Sequence, residues 1–321
     1  MKPEEETSAV PARTRPLEIG YKTGLGKMYV CKVEDFLLSR EGKAARGKVQ
    51  LILTSPPFPL NRKKKYGNQQ GEEFMNWLAG LAEPLSKLLK PDGSIVVEMG
   101  NAWEPGKPVM STLSLRSLLK FMELGELNLC QQFVCHNPAR LPTPAQWVNV
   151  ERIRAKDSFT NVWWMAPSER PKASNRNVLT EYSGSMRHLL KTQKYNAGIR
   201  PSGHNIGKTS FLTDNGGAIP SNVLTFSNTS SSDAYRDYCR QTKLEVHPAP
   251  MPWGLVDFFV RMLTDARDLV FDPFGGSNTT GAVAEHLGRR WIATEPMMRY
   301  VAGSKGRFTS TGPGEELRPT G

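Results

Sequence analysis

Residues 268–296, DLVFDPFGGSNTTGAVAEHLGRRWIATEP, leave this chain few folds to choose from. The run LVFD has the apolar density of a buried strand and ends on an acid, Asp272. Pro273 and the paired Gly275 and Gly276 then turn the chain sharply into a helix, which Thr279 or Thr280 can cap with a hydroxyl. A second apolar run ends on another acid, Glu295. Strand, turn, helix and strand in that order form a βαβ unit, the building block of a parallel sheet with helices on both faces. The two glycines let the backbone approach a ligand with no Cβ in the way. An acid twenty residues after Gly275 stands where such units reach the ribose hydroxyls of a nucleotide-like cofactor. The loop is not G-x-G-x-x-G, so a dinucleotide is disfavoured.

A second unit of the same kind lies upstream. VQLILTS (49–55) reads as a central parallel strand, EEFMNWLAGLAEPLSKLLK (72–90) as one amphipathic helix, and PDGSIVVEMG (91–100) as a turn and a further buried strand. FTNVWWMAP (159–167) is strand-like, with Trp163 and Trp164 expected to pack in the sheet. WGLVDFFVRMLT (253–264) has helical periodicity. The expected fold is therefore α/β, a doubly wound and mostly parallel sheet.

The upstream strand ends in Thr54-Ser55-Pro56-Pro57-Phe58. Prolines stop a strand and donate no backbone hydrogen bond. In open α/β sheets ligands bind at the carboxyl ends of the strands. There a Ser55 hydroxyl and the carbonyls restrained by Pro56 and Pro57 make a rigid acceptor cradle, with Phe58 as a flat stacking face. Such a cradle suits a planar aromatic amine. Its lone pair is delocalised into the ring, and acceptors that hold its hydrogens out of plane restore nucleophilicity. That chemistry needs no metal and no covalent nucleophile.

Charge points to the partner. The chain carries 42 Lys and Arg against 31 Asp and Glu, a formal net charge of +11, which favours a polyanion. Between 166 and 232, eight basic residues face three acids, and NRKKKYG adds a further cluster. Arg62, Lys63, Lys64, Lys65, Arg187, Lys191, Lys194 and Arg200 are the candidate contacts to a phosphate backbone. A target base inside a duplex must be flipped out to reach Ser55. The four cysteines form no C-x-x-C pair and read as reduced thiols, with Cys31, Cys130 and Cys239 as small buried hydrophobes. No cysteine follows a proline, which argues against a cysteine nucleophile acting on cytosine C5. No apolar run reaches membrane-spanning length and the N-terminus lacks the apolar core of a signal peptide, so a cytoplasmic location and no membrane partner are expected.

TSPPF upstream, the glycine loop downstream and a basic region between them resemble the β-group of amino-group DNA methyltransferases. DPFGGSNTTG and HPAPMPWGLVDFFVRML are similar to the PvuII-type cytosine-N4 enzymes. The resemblance spans roughly residues 20–305. It implies the class I S-adenosylmethionine-dependent methyltransferase fold in permuted order, with duplex DNA as substrate and S-adenosylhomocysteine as the spent cofactor. It implies that Ser55 and the Pro56 carbonyl bind the target amino group, that Phe58 stacks on the flipped base, and that Glu98 lies near that base. It implies that His247, Pro248, Ala249 and Pro250 pack on the methionine part of S-adenosylmethionine. Asp272, Phe274, Gly275, Gly276, Ser277, Asn278, Thr279 and Thr280 would line the cofactor, and Glu295 would hold its ribose. Lys32 stands where relatives carry an acid near the adenine, which leaves the adenine partner open.

The implied division is an N-terminal tail (1–17), a catalytic part (18–165), a target-recognition region (166–245), a cofactor-binding part (246–305) and a flexible C-terminal tail (306–321). A monomer or homodimer, a cognate restriction endonuclease acting on the same site, and a bacterial or archaeal cytoplasm complete the expectation. Adenine-N6 methylation stays open as a second product. A DNA-binding protein without catalysis stays open as a reading of another class.

Overall fold

The strand-like apolar runs become strands of one large sheet. The computed structural model describes residues 16–58, 71–195, 197–207, 209, 211–226 and 233–309. The strands are β1 (Ile19–Lys22), β2 (Gly26–Tyr29), β3 (Val49–Thr54), β4 (Leu89–Gly100), β5 (Asn128–His136), β6 (Phe159–Ala166), β7 (Gly198–Ile199), β8 (Asn205–Ile206), β9 (Val223–Thr225), β10 (Leu269–Asp272) and β11 (Arg290–Thr294). Nine of them form one sheet in the order β1-β2-β11-β10-β3-β4-β6-β5-β9, and β7 pairs with β8 apart from it. From β2 to β4 every neighbour is parallel. β6 runs antiparallel to both β4 and β5, and β1 closes the far edge antiparallel to β2.

The helices are α1 (Val33–Leu38), α2 (Arg40–Ala45), α3 (Gly71–Gly80), α4 (Ala82–Ser86), α5 (Leu113–Gly125), α6 (Gly184–Thr192), α7 (Ala234–Gln241), α8 (Trp253–Leu263), α9 (Thr279–His286), α10 (Met298–Ser304) and α11 (Gly306–Thr309). Alternation along the strands feeds two cores. Ile95, Val97, Met99, Trp163, Met165 and Phe271 join Phe36, Phe74, Leu78 and Phe121 from α1, α3 and α5. Val96, Val162, Trp164 and Val270 join Val256, Phe259, Val283 and Val301 from α8, α9 and α10. Successive strand residues point to opposite faces, so helices cover both. This is the expected doubly wound sheet.

The structure alters the expected helix and tail and adds detail between them. The helix expected over 72–90 is broken between Gly80 and Ala82. Pro84 has no N–H to give the Gly80 carbonyl four residues back, and its ring crowds that carbonyl. Within 166–245, expected as the target-recognition region, β9 pairs parallel with β5 of the large sheet, and the α7 residues Tyr235 and Cys239 are fully buried. The tail expected from 306 begins instead as α11, which carries a buried arginine that reaches back to the glycine loop.

The positions of β10 and β3 decide where a ligand goes. β3 leads through α3 and α4 to β4 on one side, and β10 leads through α9 to β11 on the other. The connections diverge between these two neighbours, which makes a crevice at their carboxyl ends. Among the described residues, no helix is long and apolar enough to cross a membrane.

Candidate active site

A cavity of about 290 Å³ opens at that crevice. Ser55, Pro56, Pro57 and Phe58 line it from the end of β3, and Phe274 and Pro273 from the end of β10. Glu295, Pro296, Met297 and Tyr300 line it from beyond β11, His247 and Ala249 from the segment before α8, and Lys32, Val33 and Glu34 from the start of α1. Phe74 and Trp77 of α3 complete the wall. Segments more than two hundred residues apart in sequence thus share one space.

Glu98, near the end of β4, lies beside the Ser55 turn. Thr160 Oγ1 of β6 donates to Glu98 Oε1 at 2.8 Å, and the Ser55 hydroxyl is near enough to favour the carboxylate form. Burial pushes the Glu98 carboxyl above its ordinary range, while these two hydroxyls pull it back. Glu98 itself does not reach the cavity wall; it acts on Ser55 from behind. Phe58 lies against Gly100, where a Cβ would come within 3.0 Å of the ring. Gly100 therefore leaves room for the ring beside β4.

Glu295 is fixed by its own neighbours. Its Oε2 accepts from Gly276 N at 3.1 Å and its Oε1 from Met297 N at 2.9 Å. Each oxygen keeps lone-pair capacity for a further donor in the cavity. Burial raises its pKa, and the two amides oppose the rise. Opposite it, Trp77 packs tilted on Phe274 with ring centroids 5.5 Å apart, and its indole N–H donates to Glu34 Oε1 at 2.7 Å. His247 meets Tyr300 edge-on at 4.8 Å.

The glycine loop differs from expectation. Asp272 does not line the cavity. Its Oδ1 accepts from Thr54 Oγ1 at 2.7 Å and Phe274 N at 3.0 Å, and its Oδ2 from Thr280 Oγ1 at 2.7 Å. It is a buried knot tying the end of β3 to the turn after β10. A Cβ on Gly276 would meet the His247 ring at 2.9 Å, and one on Gly275 would meet Met28 and Ala293 at 3.1 and 3.2 Å. Both glycines therefore make room for the protein's own side chains. Neither Thr279 nor Thr280 caps α9. Asn278 does, in the left-handed region at φ 55°, accepting from Gly281 N at 3.0 Å. Ser277, Asn278, Thr279 and Thr280 are all buried away from the cavity, and Pro248 and Pro250 are outside its lining.

Arg307 was not visible as a site residue. Its guanidinium donates to the Ser277 carbonyl at 2.7 Å and to Ser277 Oγ at 3.2 Å, pairs with Asp233 at 3.5 Å, and lies 4.6 Å over the Tyr235 ring. Its side chain is 6% exposed, so the last described helix pins the cofactor-type loop from behind. Trp77, Glu34 and Tyr300 were missed too. The one usable signal was the Glu34-Asp35 pair just after Lys32.

Of the basic candidates, Arg187, Lys191 and Lys194 are exposed on or beside α6, and Arg200 is half-buried. Lys172, within the basic stretch, is instead spent on Asp265 and Asp268. Arg62, Lys63, Lys64 and Lys65 lie outside the described residues. The four cysteines are free; Cys130, expected buried, is only half covered because little packs over the first half of β5. Among the described residues, no group of three or more His, Cys, Asp or Glu could hold a metal ion.

The sheet, its switch-point cavity and the acceptor turn define a group-transfer enzyme of the α/β class. Residues 49–305 match the family model for N6/N4 DNA methylases, and the chain belongs to that family. It is 43% identical over 298 residues to the type II methyltransferase M.PvuII of Proteus hauseri, covering 92% of this chain and 87% of that protein. The solved PvuII DNA methyltransferase, described as cytosine-N4-specific, superposes with a TM-score of 0.72 at 36% identity, over 92% of this chain and 90% of that one. A crystal structure of an M1.HpyAVI–SAM complex shares the fold, with a TM-score of 0.51 at 18% identity over 89% of this chain and all of that one.

Proposed function

We propose that this DNA methylase transfers a methyl group from S-adenosylmethionine to the exocyclic N4 of a cytosine flipped out of duplex DNA. The observation that carries the reading is that the Ser55-Pro56-Pro57-Phe58 turn lines the same cavity as Glu295 and Phe274, with the Ser55 side chain near enough to Glu98 to favour its carboxylate form. Glu98 draws the Ser55 proton inward. The Ser55 oxygen is thereby left as an acceptor, and with the carbonyls of the Pro-Pro turn it can hold the two hydrogens of an aromatic amine. Phe58, given room by Gly100 and lining the cavity, offers a stacking face to the base.

The cavity fits the cofactor by its donor set. The Glu295 carboxylate, aimed by two backbone amides, suits a vicinal diol, and the Trp77, Phe274 and Tyr300 rings suit a flat purine. His247 and Ala249, which line the same cavity, are the residues proposed to pack on the methionine end. The bound cofactor supplies an electrophilic methyl on a sulfonium. The protein's own part is to orient the amine, to exclude water, and to accept the amine's departing proton through Ser55, backed by Glu98.

The similarity to a cytosine-N4-specific relative supports N4 over adenine N6. It also supports a type II restriction-modification setting, with an endonuclease cutting the same site. The test is a nucleoside digest of duplex DNA incubated with enzyme and S-adenosylmethionine, read by mass spectrometry. N4-methyldeoxycytidine is expected. N6-methyldeoxyadenosine would replace the base assignment, and the absence of any methylated nucleoside would overturn the reading. Methylated-base sequencing of plasmid from expressing cells gives the site.

A further inference from the structure

The connection between β5 and β6, residues 137–158, is a long excursion on the catalytic edge of the sheet. β6 begins beside the carboxyl end of β4, where Gly100 pairs with Thr160 and Glu98 with Val162. The excursion is closed at its base by Asn137 N on the Ser158 carbonyl at 2.8 Å. It is tied to the chain just past Glu98 by Asn101 Nδ2 on Asp157 Oδ1 at 2.8 Å. It is also tied to the next loop by Arg154 Nε on the Pro108 carbonyl at 3.0 Å. Its path is thus fixed against the site, with Thr160 two residues beyond its end holding Glu98.

Its charges are unbalanced. The acid Asp157 is paired with Arg140 at 3.6 Å. Glu151 accepts from Gln146 at 2.9 Å. Arg154 and Lys156 are held by carbonyl oxygens, at 3.0 Å from Pro108 and 3.1 Å from Pro138, which fix a cation without neutralising it. Arg152 is exposed, in the left-handed region at φ 58°. The same excursion leaves two large aliphatic side chains open, Leu141 at 77% exposure and Val150 at 69%. Large aliphatic side chains left this open on a cationic excursion suit a surface that is covered in use.

We propose that residues 137–158 form a second DNA-gripping strap, in which Arg152, Arg154 and Lys156 bind backbone phosphates beside the flipped base. The proposal rests on the reading of the site as a DNA methylase centre. Duplex DNA is the occupant because the strap is cationic and continuous with the edge at which a target base must arrive. The strap is separate in sequence from the basic residues 187–200. It explains why a long loop is stapled so firmly to the catalytic strands: phosphate contacts fix the register of the duplex and hence which base faces Ser55.

The test uses the full chain, a fluorescently labelled duplex and a salt series, with S-adenosylmethionine affinity measured alongside. The variant Arg152→Ala/Arg154→Ala/Lys156→Ala is expected to bind DNA about tenfold or more weakly, with the salt slope reduced by about 0.9 for each phosphate no longer neutralised. Cofactor affinity should not change. Arg152→Glu alone alters only an exposed side chain and should weaken DNA binding in the same direction, which guards against a folding defect in the triple variant. If the wild type binds duplex and both variants match it in affinity and slope, the strap proposal is overturned. If the wild type binds no duplex at all, the functional reading itself is overturned.

Discussion

Two turns stand side by side at the carboxyl edge of the sheet, one after β3 and one after β10. They look alike in sequence, each an apolar run that meets a polar residue and then proline. In the structure they do opposite work. After β10, Asp272 uses both oxygens on Thr54, Phe274 and Thr280, Asn278 caps its helix, and Arg307 ties down Ser277. That turn is saturated by the protein itself. After β3, Ser55 lies beside Glu98 and lines the cavity with Pro56, Pro57 and Phe58. A loop that satisfies its own polar groups is scaffold, and one that leaves acceptors facing a cavity is where chemistry is done.

The contrast can be broken by mutation. Ser55→Ala should lower the methyl-transfer rate about 10²–10³-fold, as removal of one preorganised polar group does. Cofactor affinity and thermal stability should stay near wild type; equal loss of cofactor binding would show that this turn too is scaffold. Asp272→Ala should do the reverse. It strands three buried donors, so unfolding by urea should show a loss of about 3 kcal/mol or more. Arg307→Met removes a buried cation from Asp233 and Ser277 and should cost about 3 kcal/mol in the same measurement. Unchanged stability would mean that α11 does not hold the loop.

A pH series sharpens the same comparison. Glu98 has a raised pKa from burial, and its carboxylate must be ionised to draw the Ser55 proton. Single-turnover rates should therefore rise with pH up to a plateau above the raised pKa, and Glu98→Gln should remove that limb. Stability should move the other way. Glu98, Asp272 and Glu295 all hold their protons to higher pH when folded than when unfolded. In the window above the unfolded carboxyl pKa the native state binds more protons, so their contribution to stability falls as pH rises through the raised values. Denaturant midpoints across that window test the slope, and Asp272→Asn should flatten it. The smallest effect expected is that of Gly276→Ala. Its φ of 50° and the 2.9 Å approach to His247 should cost about 1–2 kcal/mol and loosen the His247 side of the cavity, read as weaker cofactor binding.

Much of this was legible in the residues. The strands that end at or just before Ser55, Asp272 and Glu295, and the one that carries Glu98 two residues from its end, lie where the apolar runs put them, because strand and helix periodicity is local. Ser55, Phe58, Phe274 and Glu295 were found because turn residues and terminal acids carry their own signal. The inward turning of Asp272, Ser277, Asn278 and Thr280 was not legible, since their partners Thr54, Tyr21 and Arg307 come from other ends of the chain. Pro84 announced the helix break at Gly80 only through a rule about the residue four places back.

The sequence by itself determined the βαβ units, the order of the two motifs and the sign of the charge. Those follow from local pattern and from counting. Only the tertiary structure decided which polar residues face the cavity and which are spent on one another. It set Trp77 and Glu34 into the wall, sent Arg307 beneath the glycine loop and stapled the 137–158 strap to the catalytic edge. A side chain's direction is settled by what packs behind it, and here what packs behind comes from segments far away in the chain.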